Sequence, residues 1–536
     1  MVEKKARAQL QAALARGDIR QASILAEQAI AQGHSEILVY QLAAIRREDL
    51  GDWAGAHGML AKALSLAPGE PAILSEIAAV WRRSGHPDRA LEILDAMVAR
   101  GLDHAPTWLE RGHALNARNA YRDAQESYRR AARLDPQSAS AWAGMADTGA
   151  RIGDMAAARD FGERALALDP VNIVAANAVA SVDIEEDRPD EARSRLENLL
   201  GRVPEAEPGL VQSWTLLGDA CHALGHSDAA FDHYVRAQAS YRRMMAPLFG
   251  DERRGQRALI HHVQDQVIGL EPAAWPPLRP DETPGRARRH VFLMGYPRSG
   301  TTMVENVLAS LPDVVALEEK PTMIATEPLL GSADGVARLG ELDQHGADEL
   351  RAAYWRAVAA QDVDVSGRTF IDMNPIRGIS LPIIARLFPD ARIVIMRRDP
   401  RDVVWSCFRR HFTATPTGYV FSDLESAARH YDALMTLMEA CFERLPLDVH
   451  ILRYDDLVSD FDGTTQRLCK FIGLEWAADV HDFRQTAMRR GVTTASVRQV
   501  RKGLFNGTGQ WRPYAAQLAP VLPILQPWVE RFGYAD

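Results

Sequence analysis

The sequence predicts a two-part chain, an all-α solenoid of paired helices followed by an α/β unit with a parallel sheet. Three observations carry this. A turn residue recurs in steps of 34, at Gly17, Gly51, Gly85, Asn119, Gly153 and Asp187, and an alanine keeps the same step at Ala22, Ala56, Ala90, Ala124, Ala158 and Ala192. Beyond residue 289 the texture changes to short β-type runs, clearest at 290–294, 369–371, 392–396 and 449–452, with helical stretches between them. A glycine-bearing loop, Gly295-Tyr-Pro-Arg-Ser-Gly-Thr-Thr, then joins the first run to a helical pattern with Met303, Val307 and Leu311 at i, i+4 and i+8.

Bulk properties agree with two folded units. A chain of 536 residues exceeds what one hydrophobic core usually supports. With 47% hydrophobic and 25% charged residues it is neither disordered nor fibrous, and a net charge of −9 gives no reason to expect nucleic acid or a membrane as partner. Cys221, Cys407, Cys441 and Cys469 form no CxxC pair, so neither a disulfide framework nor a metal site is expected. No run is apolar enough to span a bilayer, and the N-terminus leads into a helical pattern, so a cytoplasmic location is expected.

In each repeat the turn residue tolerates positive φ and the alanine lets two helices approach closely. Prolines at Pro68, Pro136, Pro170 and Pro204 close many units, and a seventh unit keeps the spacing at Gly225 and Ala230. This punctuation resembles the tetratricopeptide repeat family. The resemblance covers about residues 1–245 and implies a concave groove that binds a peptide or another protein, with a spacer or dimerisation arm as the alternative. The Pro/Arg-rich stretch 246–288 reads as a linker, and 289–536 as the second domain.

Candidate functional clusters begin where predicted strands end, as a shared site in an open α/β sheet requires. The loop at Arg298, Ser299, Gly300, Thr301 and Thr302 has the form of a phosphate-binding loop, but Thr301 stands where a nucleotide kinase needs lysine. Loop amides, a helix N-terminus, two hydroxyls and Arg298 can still cradle a phosphate. The second cluster runs from Arg397 to Arg410. Asp399 and Pro400 are an N-cap and N1 pair, which places Arg398 at a strand end, Ser406 on the second helical turn and Arg410 four residues later on the same face.

Together these clusters resemble the sulfotransferase superfamily, over about residues 289–515, and the resemblance implies a P-loop-like α/β fold. It implies that Arg298, Ser299, Gly300, Thr301 and Thr302 hold the 5′-phosphosulfate of 3′-phosphoadenylyl sulfate, while Arg398 and Ser406 hold its 3′-phosphate. The segment Arg453-Tyr-Asp-Asp-Leu is similar to the family's Tyr-Glu-Asp-Leu, so Tyr454 is expected beside the nucleotide. Arg501, Lys502 and Gly503, followed by Gly509-Gln-Trp, resemble the basic loop that closes over the 3′-phosphate. Repeats joined to such a domain resemble bacterial repeat-containing sulfotransferases related to tyrosylprotein sulfotransferases. That resemblance implies a general base at Glu319, with Glu318 the runner-up, and a hydroxyl acceptor, a protein tyrosine in the repeat groove among the candidates.

Two positions depart from the family pattern. Met373 stands where many relatives carry a lysine that contacts the sulfonate, and Gln510 where a basic residue often precedes the tryptophan. Arg377 and Lys320 are the nearest replacement cations in the sequence. The leading expectation is a sulfotransferase. The alternatives are a repeat scaffold with an inactive nucleotide-binding domain and, disfavoured by Thr301, a kinase or NTPase.

Overall fold

The structure is a computed structural model that describes residues 2–204, 207, 209–251, 255–270, 275, 277–412, 414–490 and 506–534. It divides into two compact units, Met1–Leu224 and Gly225–Asp536.

The first unit consists, among the described residues, of thirteen helices from Val2–Ala15 to Leu210–Ala223, each packed on the next. The period of 34 has a direct physical basis. Every turn position of the register from Gly17 to Asp187 has a left-handed backbone, with φ between 60° and 94°, including the non-glycine Asn119 and Asp187. Every register alanine from Ala22 to Ala192 is completely buried at a helix contact. A larger side chain there would push the helices apart.

The second unit opens with the helix Ser227–Phe249, which carries the seventh register alanine, Ala230. The sequence reading placed the edge of the repeats at residue 245. This helix groups with the C-terminal unit instead, because Phe231 and Tyr234 pack on Trp405. Within the stretch read as a linker lies another helix, Gln256–Ile268, whose Ile260, Val263 and Val267 are buried where it packs against the helix Leu424–Arg444.

Five parallel strands form the sheet: β1 Arg289–Met294, β2 Val314–Glu318, β3 Thr369–Met373, β4 Arg392–Arg397 and β5 Asp448–Arg453, in the order β2-β3-β1-β4-β5. The edge strand β2 was not anticipated. It is short and only partly buried, so it lacks the continuous apolar run of the central strands. Chain order reverses across β1 and β4, and the loops leaving these adjacent strands face one crevice.

Candidate functional site

The loop after β1 enters the helix Thr301–Ala309 through a strained turn. Gly300, the N-cap, has φ 108°, and a Cβ there would lie 2.8 Å from the Tyr454 ring, so this position needs glycine on two counts. Arg298 has φ 72°, an unfavourable conformation for a side-chain-bearing residue, of order 1–3 kcal/mol. Ser299, Thr301 and Thr302 are buried beside it, so the loop presents backbone and hydroxyl groups from a rigid base.

The helix Pro400–Phe408 follows β4 as its Asp-Pro start dictates, with the Asp399 carboxylate accepting from the Arg401 amide at 2.9 Å. Its Ser406 hydroxyl accepts from Arg298 Nε at 3.1 Å. Arg398 donates from Nη1 to the Arg298 carbonyl at 3.0 Å and from Nη2 to the Gly507 carbonyl, and its guanidinium lies over the Tyr454 ring at 4.8 Å. Arg298, Arg398, Ser406 and Tyr454 therefore meet in one place although 156 positions separate the first from the last. Arg410 departs from its expected placement. The helix stops at Phe408, with Arg409 as C-cap, so Arg410 lies beyond the last turn rather than on the helical face of Ser406. Arg501, Lys502 and Gly503 lie outside the described residues.

Positive charge dominates the crevice. Burial, together with Arg410, Arg398 and Arg409 nearby, brings the Arg298 pKa down to about 9. The Nε of Arg398 is buried without a hydrogen-bond partner among the described residues. Like charges this close, removed from water, favour a bound polyanion over an empty crevice.

Several contacts of the site had no signal in the sequence. Buried Arg409 donates to Gln510 Oε1 at 2.6 Å, so the glutamine that replaces a basic residue contacts an arginine. Asp402 accepts from the amides of Gly509 at 2.7 Å and Trp511 at 2.9 Å, fastening the C-terminal loop to the Ser406 helix. Each of these contacts joins residues more than 100 positions apart, so no local pattern betrays it.

Glu319 follows β2, its amide donating to the Met373 carbonyl at 2.8 Å, and its φ is 52°. Glu319 is exposed at its rim, yet desolvation by the surrounding protein and the charge of Glu318 push its pKa up to about 7 against the pull of Arg298. Behind it, Asp372 Oδ2 accepts from Arg377 Nη1 at 2.6 Å, Thr322 Oγ1 at 2.7 Å and the Tyr354 hydroxyl at 2.8 Å. Arg377 Nη2 also donates to the Lys320 carbonyl at 3.2 Å. This buried knot holds the turn after Glu319. Arg377 is thereby committed to an ion pair and is not the replacement cation its sequence position suggested, while Lys320 is exposed. Met373 is fully enclosed in the apolar cluster around Val304, Val307 and Ile371.

Comparison with known proteins shows what the two units are similar to. Residues 290–478, from β1 past β5, match the Sulfotransferase family, and residues 49–109 and 109–173 match Tetratricopeptide repeat families. The Sulfotransferase match lies wholly within the C-terminal unit. An uncharacterized protein of Aquifex aeolicus is 24% identical, covering 78% of this chain and 53% of that protein. A putative protein-tyrosine sulfotransferase of Caenorhabditis briggsae is 27% identical, over 35% of this chain and 66% of its own. Protein-tyrosine sulfotransferase 1 of Danio rerio is 28% identical, over 35% and 53%. The chain thus spans from about half to just under two thirds of the length of these relatives. A tetratricopeptide repeat protein of Thermus thermophilus is 21% identical, covering 33% of this chain and 97% of that one, with a TM-score of 0.30. The Sulfotransferase match and the Tetratricopeptide repeat matches thus fall on separate stretches of one chain. Among the described residues no helix is long and apolar enough to cross a membrane, and no cluster of His, Cys, Asp or Glu is placed to hold a metal ion.

Proposed function

We propose that the chain is a sulfotransferase that moves the sulfuryl group of 3′-phosphoadenylyl sulfate to a hydroxyl acceptor, a protein tyrosine being the acceptor its relatives suggest. The observation that carries this reading is the convergence of Arg298, Arg398, Arg409 and Arg410 with Ser406 at the ends of β1 and β4. Such a buried cationic crevice, built from the loop after β1 together with Arg398 and Ser406, suits a nucleotide that carries more than one phosphate group.

In this reading Arg298, Ser299, Gly300, Thr301 and Thr302 hold the 5′ end, Arg398 and Ser406 the 3′-phosphate, and Tyr454 the nucleotide beside them. Arg410, and Arg501, Lys502 and Gly503 as the family resemblance implies, complete the donor site. The donor supplies the sulfuryl group and leaves as adenosine 3′,5′-bisphosphate. Glu319 takes the acceptor's hydroxyl proton while the acceptor oxygen forms its bond to sulfur and the bond from sulfur to the phosphate oxygen breaks. Arg298 and the loop amides offset the charge that grows on that phosphate oxygen. A carboxyl titrating near 7 is suited to this proton transfer. The repeats would bind the acceptor or another protein. A cytoplasmic location belongs to the same reading, supported by four buried, unpaired cysteines.

Met373 favours a second reading, a repeat scaffold whose domain binds the nucleotide without turnover, since the position where relatives carry a cation is apolar and enclosed. Incubation with radiolabelled donor and tyrosine-containing peptides separates the two. Label in peptide supports the enzyme. Tight donor binding with no label in any phenol, sugar or peptide hydroxyl supports the scaffold.

A further inference from the structure

Phe231, Tyr234, Gln238 and Tyr241 succeed one another at spacings of three, four and three on the helix Ser227–Phe249, so they share one face. That face meets the Ser406 helix and the residues just beyond it. The Phe231 ring stacks on Trp405 with centroids 5.9 Å apart, Tyr234 meets Trp405 edge-on at 5.7 Å, and Tyr241 meets His411 at 5.5 Å. Buried among them, Gln238 donates from Nε2 to the carbonyl oxygens of Phe408 and Arg410, the latter at 3.0 Å. The Phe408 carbonyl belongs to the last turn of the Ser406 helix, where carbonyls have no partners within the helix, and the Arg410 carbonyl lies just past its end. A single side-chain amide thus ties down the helix end that carries Ser406, Arg409 and Arg410.

We propose that Gln238 is a positioning residue for the 3′-phosphate end of the donor site. It makes no contact with the nucleotide itself. By fixing the last turn it sets the Ser406 hydroxyl against Arg298 and holds Arg409 and Arg410 in range of the same crevice. Without the amide, the hydrogen bonds to the Phe408 and Arg410 carbonyls are lost and the turn relaxes, while the loop after β1, on a different strand, keeps its shape. The consequence falls mainly on recognition of the 3′-phosphate, because the loop after β1 touches this turn through Ser406 but takes its backbone from another strand. This inference rests on the donor-site reading above.

The test uses the full chain with Gln238→Met, which keeps length and packing but has no N–H, and Gln238→Glu, which keeps shape. Affinities for adenosine 3′,5′-bisphosphate and for 5′-AMP are measured by calorimetry and competition. The preference for the 3′-phosphorylated nucleotide is expected to fall about tenfold in both variants, the scale of one to two lost hydrogen bonds, with 5′-AMP affinity held within about twofold. An unchanged preference in either folded variant overturns the proposal, as does equal weakening for both nucleotides, which marks a merely structural role. Should Gln238→Met not fold, Gln238→Glu decides by the same ratio. Absence of any 3′-phosphate preference in the unaltered chain overturns the donor-site reading itself, and this role with it.

Discussion

Glu319 and Arg398 carry the sharpest consequences at the scale of single residues. In the proposed role of base, Glu319, whose pKa is pushed up to about 7, must lose its proton to work, so transfer is expected to rise with pH through that value and to be suppressed below it. Glu319→Gln should remove turnover and leave affinity for adenosine 3′,5′-bisphosphate nearly unchanged, because a base acts only once donor and acceptor are bound. Single-turnover rates with calorimetry on the same preparation check both halves. Arg398→Ala should erode the preference for a 3′-phosphorylated nucleotide by ~1.5–3 kcal/mol, the range for hydrogen bonds to charged groups. Equal losses for 5′-AMP would sink that assignment. Glu305 tests the electrostatics apart from activity. It is fully buried against Arg490, at 2.5 Å, and burial pushes its carboxyl up to about 7. The folded protein then holds a proton that the unfolded chain has released between 4.5 and about 7, so stability declines as pH rises across that window. Glu305→Gln should flatten the decline in denaturant titrations run at pH 5 and pH 8.

Among elements, β3 and its neighbours explain why some of the site was legible and some was not. Proximity in sequence made the loop at Arg298 and the Asp399-Pro400 helix start readable, since both follow from which residues tolerate a tight turn or an N-cap. The knot of Asp372, Arg377, Thr322 and Tyr354 was not readable, because its members come from different segments and only the sheet order brings them together. Met373 illustrates the limit of reading a position by family pattern. In sequence it is a missing lysine, whereas in the structure it is a core side chain beneath the helix Thr301–Ala309. Met373→Lys is accordingly expected to destabilise the domain by roughly 2–4 kcal/mol, since a cation would enter an apolar cluster. Chemical denaturation measures this directly, and a variant as stable as the parent would show that the lysine finds another way out.

On the scale of the whole molecule, the recurrence of 34 residues located the repeats but not where the compact units part. The helix Ser227–Phe249 keeps the repeat register yet buries its aromatic face on Trp405. A chain beginning at residue 225 should therefore fold and bind nucleotide, while one beginning at 246 exposes Trp405 and should lose both stability and 3′-phosphate preference. Comparative melting and nucleotide titration of the two fragments distinguish these outcomes, and equal behaviour would deny that helix its place in the domain. If the repeats present the acceptor, the fragment from 225 should lose transfer to a protein while keeping transfer to small phenols. All of this depends on the cationic crevice being a donor site. Calorimetric titration of the full chain with adenosine 3′,5′-bisphosphate, set against 5′-AMP and ATP, tests that most directly. Saturable binding with clear preference for the 3′,5′-bisphosphate is the predicted result, and no binding, or equal binding of all three nucleotides, would contradict it.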